Sequence, residues 1–179
     1  MKTALVIIDL QQGSFTPDIP RYAVGGLVDR LNSLADAVRA RDGSVVFVQH
    51  DGLLGDPHHP DLPGWRLLPD LQIRTGDLTV RKTACDAFLS TTLDATLRSL
   101  SVDQLVVTGC ATDYCVDTTV RSALARGYAT IVPMDGHTTS DRPHLSARKI
   151  IEHHNAIWAD FIAPAGPAML CRCADVPLA

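Results

Sequence analysis

The chain has 179 residues, of which 46% are hydrophobic and 20% charged, an ordinary globular composition with enough length for one substantial core, so a single domain over residues 1–179 is expected. A net charge of -4 with no basic stripe excludes nucleic acid or an anionic membrane as the main partner. No apolar stretch approaches the ~20 residues of a membrane span, the opening residues carry no secretory pattern, and the five cysteines, an odd number, read as reduced thiols of a cytoplasmic protein.

In chain order, Ala4-Leu5-Val6-Ile7-Ile8 is a continuous apolar run, as in a strand buried on both faces. Val24 to Arg41 carries Val24, Leu27, Val28, Leu31, Leu34, Ala35 and Val38 at helical spacing and stops at Asp42-Gly43. Ser44 to Val48 reads as a second strand, Asp51 to Asp77 as a long polar loop, and Leu78-Thr79-Val80 as a third strand. A helix capped by Ser90 or Thr91 runs to about Leu100, and Leu105-Val106-Val107 is a fourth strand. A helix from about Tyr114 to Arg126 is capped by Thr112 or Asp113, with Gly127 at C′. Ala129 to Val132 is a fifth strand, Leu145 to Trp158 the last long helix and Phe161-Ile162 a final strand. Cys171-Arg172-Cys173 lacks the spacer and partners of a metal site and reads as a tail with two incidental cysteines.

Alternating strands and helices predict an α/β domain with a mostly parallel sheet, whose ligand sits beyond the carboxyl ends of the strands. Asp9, His50, Asp51, Lys82 and Ala111 through Cys115 all lie just past a predicted strand. At the start of a helix, unpaired N–H groups and the helix dipole favour a Cys115 thiolate; a thiol brought from ~8.5 to ~6 is roughly 90% ionised at neutral pH. Asp9 follows an apolar strand and suits a proton shuttle, or else it is a turn residue. Lys82 is the nearest cation, able to hold Asp9 ionised or favour the thiolate, or else it is a solvated loop lysine. The N–H groups of Ala111 and Cys115 are candidates for an oxyanion hole, with turn residues as the alternative. His50, Asp51, His58 and His59 raise the question of a metal, but adjacent histidines flanked by prolines do not easily face one ion, so a solvated loop is expected, with His50 or His58 at the pocket. Phe15, Trp65, Phe88 and Tyr114 are candidate pocket walls, each with a core-packing alternative. Asp9-Leu10-Gln11-Gln12-Gly13 provides no Gly-x-Gly-x-x-Gly after the first strand, so no nicotinamide cofactor is expected.

Three segments together resemble a family. Val6-Ile7-Ile8-Asp9-Leu10-Gln11, then Arg81-Lys82-Thr83 with Asp86 and Phe88, then Gly109 through Thr118 around Cys115 look like the isochorismatase-like cysteine hydrolases, over Ala4 to about Phe161. The resemblance implies a three-layer α-β-α fold with a six-stranded parallel sheet, and an Asp-Lys-Cys triad that falls on Asp9, Lys82 and Cys115. It also implies a cis peptide at Cys110-Ala111, before the alanine of an oxyanion hole completed by Cys115, and a homo-oligomer such as a dimer or tetramer. Substrate pocket candidates are Gln11, Phe15, His50, Trp65, Phe88 and Tyr114. The metal-binding Asp-x-His of the family's nicotinamidases has no match in Gln49-His50-Asp51-Gly52, so no metal or other cofactor is expected. The expected function is cleavage of a C–N bond in a small amide, ureido or lactam substrate through a cysteine thioester. The alternatives are a silent ligand-binding member of the fold and a metal-dependent nicotinamidase.

Overall fold

A computed structural model describes residues 1–178. The strands are β1 (Thr3–Ile8), β2 (Ser44–His50), β3 (Leu78–Lys82), β4 (Gln104–Cys110), β5 (Ala129–Pro133), β6 (His137–Thr138) and β7 (Met169–Cys171). The α-helices are α1 (Leu27–Arg39), α2 (Leu93–Ser99), α3 (Asp117–Ala125) and α4 (Ala147–Ala159). Every strand pairing is parallel, in the order β3-β2-β1-β4-β5-β7, and the two-residue β6 pairs with the end of β4. The chain order reverses between β1 and β4, so the crevice beyond these two strands is the switch point at which such sheets hold ligands.

The middles of the central strands, Ala4–Ile8, Val45–Val48 and Leu105–Val107, are apolar throughout because both faces are covered, and alternate residues go to opposite layers. Ala4, Val6, Ile8, Val46, Val48, Leu105 and Val107 pack with Leu93 and Leu97 of α2, Val120 and Leu124 of α3 and Trp158 of α4. Leu5, Ile7, Val45, Phe47 and Val106 pack with Leu27, Leu31, Leu34 and Val38 of α1. The molecule is thus a three-layer α/β/α structure.

The sequence expectations need amendment at several points, among them α2, whose N-cap is Thr92 rather than Ser90 or Thr91. Helix α1 starts at Leu27 rather than Val24 because Ala23 and Gly26 take left-handed conformations, with φ of 51° and 72°. Helix α3 starts at Asp117, and residues Thr112–Val116 form a π-helical turn that neither Thr112 nor Asp113 caps. Phe161-Ile162 is no strand: Ile162 is 98% exposed, and the chain turns through Pro164 and Pro167 before Met169–Cys171 forms the edge strand. The terminal cysteines therefore belong to the fold, with Cys171 on β7 and Cys173 buried in the core layer of α1. Gly127 holds its C′ position with a φ of 83°.

Candidate active site

Strand ends carry the site. Asp9 leaves β1 with a φ of 48° and donates its N–H to the Val48 carbonyl at 2.9 Å, a sparsely populated conformation that aims its side chain beyond the sheet. Gly109 of β4 has a φ of 121°, and a Cβ there would lie 2.1 Å from the Ile8 carbonyl oxygen. Only glycine lets β4 pass this close to β1 just before the Cys115 turn.

Lys82 ends β3 with its residue 2% exposed. Its Nζ lies 2.6 Å from Asp9 Oδ2, and it donates to Cys115 Sγ at 3.2 Å and to the Ala84 carbonyl at 3.0 Å. Burial works to lower the Lys82 pKa, but Asp9, and after it Cys115, outweigh burial and raise it, so the ammonium stays charged. The other oxygen of Asp9, Oδ1, is buried without a hydrogen-bond partner among the described residues. Cys115 departs from the expectation of a depressed pKa: burial and the Asp9 carboxylate push its thiol up, and Lys82 offsets only part of this. The Asp9 carboxylate beside it thus favours the protonated form of the Cys115 thiol.

The Cys110-Ala111 peptide is cis. The Ala111 carbonyl accepts from the N–H groups of Tyr114 and Val116, at 3.1 Å each, while its own N–H meets no acceptor among the described residues. The turn that carries Cys115 is clamped from outside. Thr112 Oγ1 meets His137 Nδ1 at 2.9 Å, and His137 Nε2 meets Asn155 Oδ1 of α4 at 3.1 Å. Asp113, which the sequence reading made a helix cap, instead accepts from the Thr139 hydroxyl and from both ends of the Arg142 guanidinium, at 2.8 and 3.0 Å.

Asp9, Ala111 and Cys115 line a cavity of about 220 Å³ together with Ser14, Arg21, His50, His58, Cys85, Cys110 and Tyr114. A larger hollow of about 590 Å³ beside α1 contains no member of this cluster. Of the pocket candidates, His50 and Tyr114 face the cavity and four do not. Gln11 is fully buried as a tie, donating to the His50 and Trp65 carbonyls and accepting from the His50 N–H. Trp65 donates its indole N–H to Asp51 at 2.8 Å and lies under Arg81. Phe88 stacks on Tyr128 in the core, and Phe15 packs against the α1 layer. Ser14, Arg21 and Cys85 were not singled out from the sequence. Ser14 and Cys85 follow Asp9 and Lys82 within a few residues, so the rule of strand carboxyl ends could have found them.

No three metal-ligating side chains converge among the described residues. Asp51 is taken by Trp65 and Arg81, His58 by Ser14 and Asp56, and His59 lies 3.7 Å from Asp61. Burial, and next the Lys82 charge, lower the His50 pKa and keep it neutral.

A cysteine, a buried lysine and a carboxylate gathered at the switch point of a doubly wound sheet define an α/β protein with a thiol centre. The model of the isochorismatase domain matches residues 3–160, and the chain belongs to that family. It is 34% identical to a streptothricin hydrolase of Streptomyces noursei over 78% of this chain and 51% of that one, so the chain spans about half the length of that relative. It is also 34% identical to the isochorismatase family protein YwoC of Bacillus subtilis, over 84% of this chain and 85% of that one. A crystal structure of an isochorismatase family protein superposes with a TM-score of 0.86 at 31% identity, covering 94% of this chain and 97% of the other.

Proposed function

We propose that the protein hydrolyses the C–N bond of a small amide, ureido or lactam substrate, with Cys115 as nucleophile, Asp9 as proton carrier and Lys82 as their electrostatic support. The observation that carries this is the contact of Lys82 Nζ with both Asp9 and Cys115, together with the unpartnered Asp9 Oδ1. Cys115 Sγ attacks the carbonyl carbon while its proton passes to Asp9, and the Ala111 and Cys115 N–H groups receive the oxyanion, each such donor worth ~2.7–4 kcal/mol in the transition state. Collapse breaks the C–N bond as Asp9 returns the proton to the leaving nitrogen, and a thioester remains. Asp9 then takes a proton from water, the hydroxide cleaves the thioester, and the proton goes back to sulfur. The raised thiol pKa fits this sequence, because the sulfur needs a base at the moment of attack.

The likeness to a streptothricin hydrolase supports a hydrolase, and likenesses to a maleamate amidohydrolase and a ureidoacrylate amidohydrolase support an amide carbonyl as the target. A cavity of about 220 Å³, below the ~300–1,000 Å³ of sites for drug-sized ligands, suits a small substrate. We place the protein in the cytoplasm, in keeping with five free thiols, and without nucleic-acid or membrane partners; no helix among the described residues is long and apolar enough to cross a membrane. The exposed Leu53, Leu54 and Ile162 support a homo-oligomer, a dimer or a tetramer, which sedimentation at micromolar concentration checks; a monomer there removes it.

The activity test is ammonia or amine release from a panel of small amides, ureido acids and lactams in the presence of EDTA. Product from the wild type and none from Cys115→Ala is the expected result. Undiminished turnover by Cys115→Ala, or turnover abolished by EDTA, overturns the reading.

A further inference from the structure

The cavity holds a second ordered set of side chains that the Cys115 chemistry does not use. Ser14, 8% exposed, sits on the short turn Gln12–Ser14 after β1, and its Oγ lies 2.8 Å from His58 Nε2. His58 Nδ1 lies 2.9 Å from Asp56 Oδ1, which also accepts the His58 backbone N–H at 2.7 Å. Arg21 Nε donates to the Ser14 carbonyl at 2.7 Å and fixes the turn from its other side. Gly13 permits the approach, since a Cβ there would stand 3.1 Å from Pro57 and 3.3 Å from His58 Nε2. Two loops distant in sequence are thus drawn together around one hydroxyl.

Hydrogen-bond direction follows from the chemistry of the groups. The backbone N–H of His58 holds the Asp56 carboxyl below its usual range, so it is an ionised acceptor and Nδ1 carries the ring proton. In the uncharged form of the ring Nε2 then has only a lone pair, and the Ser14 hydroxyl donates to it. With its hydrogen committed, Ser14 Oγ has only lone pairs for anything else in the cavity. We propose that Ser14, oriented by His58 and Asp56, presents a fixed hydrogen-bond acceptor to the substrate and selects amides that carry an N–H or O–H donor beside the carbonyl. Ser14 reads the substrate, and His58 and Asp56 are positioning residues that act through it. The proposal rests on the reading of Cys115 as the nucleophile of this cavity.

Alkylation of Cys115 tests it without a known substrate. Chloroacetamide carries two N–H donors on its carbonyl and N,N-dimethylchloroacetamide has none; with either, Sγ displaces chloride and the thiol proton leaves through Asp9. Rates are read by peptide mass spectrometry and divided by those with glutathione. The readout is the change in the rate ratio between wild type and variant, so the bulk of the methyl groups cancels. Ser14→Ala is expected to lower the ratio about tenfold and leave the dimethyl rate unchanged, one well-made hydrogen bond being worth roughly that factor. His58→Ala, which frees the hydroxyl to rotate, lowers it about threefold and gives a second route if Ser14→Ala folds poorly. An unchanged ratio in both variants, or an equal fall in both rates, overturns the proposal. Cys115 left unlabelled by both reagents overturns the nucleophile reading beneath it. Amide hydrolysis that persists in Cys115→Ala and vanishes with Ser14→Ala makes Ser14 a nucleophile, as in a Ser-His-Asp triad, and also overturns it.

Discussion

Taking an ammonium out of water costs several kcal/mol, so a lysine whose side chain has 0% exposure persists only where charge and hydrogen bonds offset that cost. Asp9, Cys115 and the Ala84 carbonyl surround Lys82 Nζ and fill that role. Lys82→Met removes the cation and leaves Asp9 5% exposed without its partner. We expect a loss of stability of about 3 kcal/mol by urea unfolding, together with loss of turnover. The pair Asp9→Asn with Lys82→Met should be less destabilised than the sum of the single changes, because each single change strands the other group. Additive effects in that cycle would mean the two charges do not support each other. The gathering of Asp9, Lys82 and Cys115 was legible from their strand-end positions, and the cis peptide from the resemblance. The upward push on the thiol pKa was not, because the helix-start argument leaves out the Asp9 carboxylate and the partial burial of Cys115 in its π-helical turn.

At the scale of elements, the turn that carries Cys115 owes its position to neighbours that periodicity does not reveal. His137 and Thr138 form a strand of two residues, too short for any pattern to mark, yet His137 joins Thr112 of the turn to Asn155 of α4 and stands edge-on to Trp158. Trp158 in turn donates to Asp117 at the start of α3. Burial lowers the His137 pKa to about 4, against smaller opposing effects of Asn155 and Asp135, while His154 adds to the lowering. The unfolded chain therefore binds a proton at this residue between about pH 6.5 and 4 that the folded chain does not, and stability falls as pH falls through that window. At about 1.4 kcal/mol per unit, the loss from pH 7 to 5 is roughly 2 kcal/mol from this group. Urea unfolding of the wild type and His137→Gln at the two pH values checks it. The variant is expected to be less stable at pH 7 but to lose less on acidification; equal losses in the two proteins would show that His137 is not buried neutral. Thr112 and Asp113 were legible as polar residues at a helix start. Their partners, His137, Thr139 and Arg142, are up to 29 residues away and could not be read from local sequence.

For the whole molecule, the central sheet was legible because strands covered on both faces must be apolar throughout, as Ala4–Ile8 and Leu105–Val107 are. The sheet's far edge was not, because Met169–Cys171 is only three residues long, too short to carry a strand pattern. The apolar pair Phe161-Ile162 drew the strand assignment instead, although Ile162 faces solvent. The family match ends at residue 160, but the structure continues to use the chain after it: β7 pairs with β5 through Ile131, Val132 and Pro133, and Cys173 and Val176 cover the α1 layer. Removing residues 169–179 would uncover an apolar strand edge at β5 and part of that core at the same time. We expect the truncated chain to unfold at lower urea concentration than the full chain and to associate as protein concentration rises, since an unpaired edge is a template for another strand. Its Asp9, Lys82 and Cys115 stay in place at the opposite half of the sheet, so the fraction that remains folded should alkylate Cys115 at the wild-type rate. A truncated chain with an unchanged unfolding midpoint would show that β7 adds nothing to the sheet. A folded truncation with a slowed Cys115 would show instead that the far edge is coupled to the switch point through β5 and β4.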